Sequence, residues 1–129
     1  MAQVKIYALE ASLKKHQESL SKAIHESLMS AFGLPEEKRF HRYLPLTDEM
    51  FYFPADRTKN YTIIELSIFE GRSVEAKKEL INLIFSNVKK YAGIDGQDIE
   101  ITIFETPMSN WGIRGVSADE LALNYKVKV

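Results

Sequence analysis

A shift of sixty residues lays the second half of this chain over its first. Leu20 falls on Leu80, Ile24 on Ile84, Leu28 on Val88, Gly33 on Gly93 and Leu34 on Ile94, with no gap. Glu10 falls on Glu70 and Ser12 on Arg72. A register that keeps strand, turn, helix and terminal glycine in phase reads as an internal duplication. It confines the fold to two copies of one small unit within 129 residues.

The unit is clearest in its second copy. Tyr61 to Phe69 (YTIIELSIF) has the β-branched density of a mostly buried strand. Gly71 supplies turn freedom and Ser73 reads as a helix N-cap. Leu80, Ile81, Ile84, Val88 and Tyr91 then recur at helical spacing. In the first copy, Val4 to Leu9 reads as a strand and Leu13 to Phe32 as a helix ending at Gly33. Arg39 to Leu46 and Ile99 to Phe104 read as the strands that complete each unit. Each half is therefore β-α-β, over residues 2–48 and 61–106, followed by a tail over 107–129.

Two right-handed β-α-β units side by side predict an α/β (α+β) subunit with a four-stranded mixed sheet and two helices on one face. The other face is left uncovered. Ile63, Phe69, Ile101 and Ile103 cannot all be buried by two helices, so self-association is expected. In the tail, Trp111 to Gly115 reads as a turn or small hairpin, Ser117 to Glu120 as a capped helical turn, and Leu123 to Val129 as a last short strand.

Bulk properties remove several classes of function. Net charge is −1, with Lys and Arg scattered through both halves, so there is no nucleic-acid footprint. Cysteine is absent, which excludes disulfides, thiolate metal sites and cysteine nucleophiles. The composition fits a cytoplasmic protein, and the N-terminus has no apolar run of signal or membrane length. There is no Gly-rich phosphate loop and no zinc-ligand spacing. No metal or organic cofactor is implied.

The residues with chemistry to offer are few. Arg72, where a strand gives way to a helix, is placed to hold a carboxylate, or else to pair with Glu70 or Glu75. Trp111 and Arg114 suit a flat or anionic ligand at a site mouth, or an interface between subunits. Alternation puts His41 and Tyr43 on one face of the second strand, with His41 the alternative acid or base. His16 and His25 lie half a helical turn out of phase and read as solvated. Tyr52, Asp56 and Arg57 read as a loop tie.

Glu70-Gly71-Arg72-Ser73 followed by an amphipathic helix resembles the start of 4-oxalocrotonate tautomerase. The Ala31–Pro35 turn (AFGLP) and Trp111-x-x-Arg114-Gly115 resemble the malonate semialdehyde decarboxylase branch of the tautomerase superfamily. The resemblance implies a homotrimer, an N-terminal proline base exposed by methionine removal, and arginines that hold a substrate carboxylate. Here the second residue is Ala2. Glu70 stands where that branch has a second arginine, and Lys38 where it has an aspartate. Decarboxylase activity is therefore not carried over. The expected function is an isomerase relative with altered activity on a small keto or enol carboxylic acid. Arg72 would be the anchor, an exposed Ala2 amine or His41 the base, and Tyr43, Trp111 and Arg114 would line the site. With Met1 attached, the Ala2 nitrogen is an amide and no base. The alternatives are a non-catalytic trimeric binding or interaction protein on the same fold and, more remotely, a ferredoxin-like small-molecule sensor.

Overall fold

The computed structural model describes residues 1–129. The elements are β1 (Ala2–Leu9), α1 (Glu10–Phe32), β2 (Phe40–Leu46), β3 (Thr62–Phe69), α2 (Val74–Ala92) and β4 (Ile99–Thr106), then a hairpin of β5 (Gly112–Ile113) and β6 (Val116–Ser117). The four long strands form one mixed sheet in the order β2-β1-β3-β4. Within each repeat the strands run parallel, and β1 meets β3 antiparallel. Lys5 pairs with Glu65, its own counterpart sixty residues on, so a local two-fold axis passes between them. The helices obey the same axis: Asn87 Nδ2 donates to Ser27 Oγ at 2.9 Å, again between counterparts.

Alternation along the central strands sends Val4, Ile6 and Ala8 with Ile64, Leu66 and Ile68 under the helices, where they are buried with Leu20, Ile24, Leu80 and Ile84. Both helices end where expected, at glycines with left-handed backbone (φ 66° at Gly33, 69° at Gly93) whose N–H groups donate to Met29 O and Lys89 O. Ser73 caps α2, accepting the Ala76 N–H at 3.1 Å. No helix is long and apolar enough to cross a membrane.

Three expectations need correction. The uncovered sheet face is more polar than expected: Ile101 and Ile103 pack on the helix side, Phe69 is wholly buried elsewhere, and of the four residues only Ile63 faces outward. That face carries Lys5, Arg42, Ser67 and a Tyr7 hydroxyl donating to Glu65 at 2.7 Å. His16 and His25 are buried rather than solvated, because α1 is covered along more of its girth than its apolar stripe suggests; His25 Nε2 donates to the Glu36 carbonyl at 2.7 Å. Leu123 to Val129 joins no sheet. Its alternation is real: Leu123, Tyr125 and Val127 turn inward, while Asn124, Lys126 and Lys128 face solvent. Period two marks an extended chain lying on a surface, and here it pairs with no strand.

A second, smaller cluster sits at one end of the sheet. Met1, Phe69 and Ala118 are its buried members, and Trp111, Leu121, Leu123 and Val127 pack around them. The mid-chain loop is tied down as expected. Arg57 bonds Asp56 at 2.6 Å and lies 3.6 Å from Glu100, while Tyr52 stays in solvent.

Candidate active site

The end of β3 and the start of α2 hold Arg72 against the sheet. The turn begins at Glu70, whose N–H donates to Thr106 O at 2.9 Å. Gly71 follows at φ 133°, a conformation other residues rarely adopt, with Val127 so close that a Cβ would stand 3.0 Å from it. The chain thereby turns inward, and Arg72 is only 5% exposed.

Its guanidinium is almost without partners. Nη1 donates to Phe69 O at 3.3 Å, and the cation lies 4.7 Å from the centre of the Phe32 ring. Nε and Nη2 are buried and bond nothing. Neither Glu70 nor Glu75 pairs with it; the acid that acts on its charge is Glu105, itself bridged to Lys77 at 2.8 Å. Burial lowers the Arg72 pKa to about 10, against the pull of Glu105, so it stays charged at neutral pH. Nε and Nη2 are the side-on pair of the guanidinium, the pair that has the geometry to meet both oxygens of a carboxylate.

Beside it lies the chain's first nitrogen. The Met1 amine is lowered to about 5, by burial first and then by Arg72 and Lys38. At neutral pH it is a free base. The Tyr125 hydroxyl bonds it, and the Met1 side chain is buried against Phe69 and Ala118. Phe69 in turn meets Trp111 edge-on at 4.9 Å. Ala2 follows as the first residue of β1, 1% exposed beside Ile68.

The structure thus brings Arg72, the N-terminus and Trp111 to one end of the sheet. Arg114 stands apart, exposed at the hairpin tip with a left-handed backbone (φ 52°). His41 and Tyr43 lie elsewhere, facing α1 from the edge strand: His41 Nδ1 bonds Ser21 Oγ at 2.8 Å and Tyr43 donates to Gln17 O. Burial, then His25 and Arg39, lower the His41 pKa to about 4. A lowered folded pKa stabilises the fold above the ordinary imidazole value, and that contribution fades as pH falls from about 6.5 toward 4. A His41→Leu variant should therefore lose less melting temperature than the parent between pH 7 and 4.5, as read by thermal unfolding.

Tyr125 was not foreseeable from motif spacing, since 124 residues separate it from Met1. The other repeat offers no matching site. Ser12 occupies the place of Arg72, buried Tyr61 that of Met1, and a broad surface hollow lined by Glu10, Ser12, Asp48 and Lys59 lies there with no buried cation. The buried arginine is thus confined to one end of the sheet.

A family model described as "Tautomerase enzyme" matches residues 38–114. The chain belongs to the tautomerase family. Among curated tautomerases, 2-hydroxymuconate tautomerase of Comamonas testosteroni is 37% identical over 57 residues, covering 44% of this chain and 90% of that one. Probable tautomerase YusQ of Bacillus subtilis (strain 168) is 25% identical over 99 residues, covering 73% and 78%. Solved tautomerase folds superpose along nearly the whole chain. FG41 malonate semialdehyde decarboxylase inhibited by 3-bromopropiolate has a TM-score of 0.79 at 22% identity, covering 94% of this chain and 98% of that one. A fused 4-OT symmetric trimer has a TM-score of 0.73 at 18% identity, covering 91% and 96%. These likenesses carry the fold alone.

Proposed function

We propose that this tautomerase-family chain is an isomerase of small keto/enol carboxylic acids, with Arg72 as carboxylate anchor and the N-terminal amine as base. The observation that carries the reading is the idle side of the Arg72 guanidinium, whose Nε and Nη2 are buried without partners. Those two donors form the fork that a carboxylate takes with both oxygens. An acid anchored there lies beside an amine that is unprotonated at neutral pH.

Catalysis then needs one proton carried a short way. The amine takes the enol hydroxyl proton, and the resulting ammonium returns it to the carbon end of the enol, giving the keto acid. Negative charge that builds on the enolate is held by Arg72 and, nearby, Lys38. No redox partner enters this balance. Because the Met1 side chain fills the space against Phe69, the working base is the Ala2 amine, freed by methionine removal. Trp111 serves as an apolar wall. His41 and Tyr43 are left out of the proton path because they face α1. The working assembly is a homotrimer, as in the fused 4-OT relatives, with the exposed Phe40 and Phe104 of the edge strands offered for contact.

Methionine-free protein, verified by mass spectrometry, should ketonise enolised 2-oxo acids in an ultraviolet assay. Acetylating its N-terminus should reduce the rate by about 10²-fold or more, the usual share of a general base. The rate should reach its half-maximum well below pH 8, if the burial and the Arg72 charge that lower the Met1 amine act alike on the Ala2 amine that replaces it. Absence of turnover above buffer, unaltered by acetylation, would defeat the reading. One observation favours a second: Met1 is buried against Phe69 and Ala118, and its amine is bonded to the Tyr125 hydroxyl. A chain that keeps its methionine is then a trimeric binding protein without catalysis.

A further inference from the structure

We propose that residues 121–129 are a strap that closes the chain's own amine-and-Arg72 site, with the Tyr125 hydroxyl as its latch. Four separate contacts place the strap. The Tyr125 hydroxyl bonds the Met1 amine. Val127 lies on Gly71, the residue whose open backbone turns Arg72 inward, and the Lys128 stem flanks it. Ser73 Oγ donates to the Val129 carbonyl at 3.0 Å, tying the strap's end to the start of α2. Leu121, Leu123 and Val127 pack against the cluster of Met1, Phe69 and Ala118. The alternation that resembled a strand is what an extended strap needs, with every second side chain turned to the site.

The strap is built to open. From Ala122 onward it belongs to no helix or ladder, and its backbone groups take no part in the turn and cap bonds made elsewhere. Side-chain packing and the single bond from Ser73 to the Val129 carbonyl hold it. Segments of that kind open locally at far lower free energy than the sheet beneath them. Opening has a direct chemical consequence. The Met1 nitrogen, donating to the Tyr125 hydroxyl oxygen and covered by the strap, is screened from anything that would react with it. In a chain that keeps Met1, the latch must release before that amine can react. Gly71 then has a second duty: a Cβ there would stand 3.0 Å from the Val127 side chain, which would have to give by a few tenths of an ångström.

The strap takes the amine and Arg72 as the site, but it can be tested without any substrate. The readout is the reactivity of the N-terminal amine at pH 7 toward a small acylating reagent, followed by peptide mass spectrometry in the full chain. Tyr125→Phe removes one oxygen and keeps the ring packed, so the fold should survive. The amine should react about tenfold faster in this variant, the factor that one released hydrogen bond is worth. In the unmodified chain, amide exchange at 122–129 should finish while β1 and β3 stay protected. Val127→Gly should also speed acylation, through the strap's other anchor. Equal acylation rates in the parent and both variants would overturn the proposal, as would protection of 122–129 as strong as that of β1. If enol turnover is absent while acylation accelerates as expected, the strap stands and the isomerase reading falls.

Discussion

Replacing Arg72 with methionine should abolish turnover and raise the melting temperature together. The turnover side follows from the fork. A carboxylate on Nε and Nη2 makes two charge-assisted hydrogen bonds of about 1.5–3 kcal/mol each, so losing both should lower kcat/KM by about 10²–10⁴-fold. Arg72→Lys keeps the charge but presents a point instead of a fork, and should fall between the two. The stability side follows from the same idle donors. A buried polar group without partners costs about 1–3 kcal/mol, against which contact with the Phe32 ring returns about 1 kcal/mol. Methionine fills a similar volume without that debt. A net gain of about 1 kcal/mol should raise the melting temperature by about 3–4 °C in a chain of this size. Paired kinetics and thermal unfolding check both halves. A variant that unfolds earlier yet turns over enols normally would show Arg72 to be a structural tie with no part in binding.

The fold was legible because several signals agree on it. Helical spacing from Leu20 to Leu28 and from Leu80 to Val88, glycines at both helix ends and a constant shift between halves leave one arrangement with a two-fold axis at Lys5 and Glu65. Arg72 was legible as a residue, through its turn and its family likeness. Its isolation was not: Glu70 and Glu75 stand near it in sequence, and only the inward turn at Gly71 shows that neither reaches it. The burial of His25 escaped because the Glu36 carbonyl that covers it comes from the connection after the helix, which carries no helical pattern. The tail shows the limit most plainly. Its period of two was read correctly and its partner was not. Alternation reports that one side of a segment is covered, without saying whether a sheet edge or a cluster of side chains covers it. The meeting of Met1 with Tyr125 joins the two ends of the chain, and no local pattern encodes such a contact.

Ala2→Pro should raise enol turnover by about 10²-fold in methionine-free protein, within the range of a well-placed general base. Ala2 opens β1 and is packed beside Ile68, a position where proline is tolerated because a strand's first residue need not donate to the ladder. Once methionine is gone, the ring nitrogen is a secondary amine, a stronger base than the primary amine of alanine. The ring also fixes the direction of its lone pair. Burial and the nearby charges of Arg72 and Lys38 should keep it unprotonated as they do the present N-terminus. The same substitution in protein that keeps Met1 should change nothing, because that nitrogen is then a tertiary amide with no basic lone pair. Adding Arg72→Met should erase the gain, since a better base cannot act on an acid that is not held. The comparison separates a missing base from a ruined pocket. If the Ala2→Pro variant, verified to be free of methionine, turns over enols only at the parent level, Lys38 and Glu70 have reshaped the site beyond what a secondary-amine base can restore, and the binding-protein reading gains the ground.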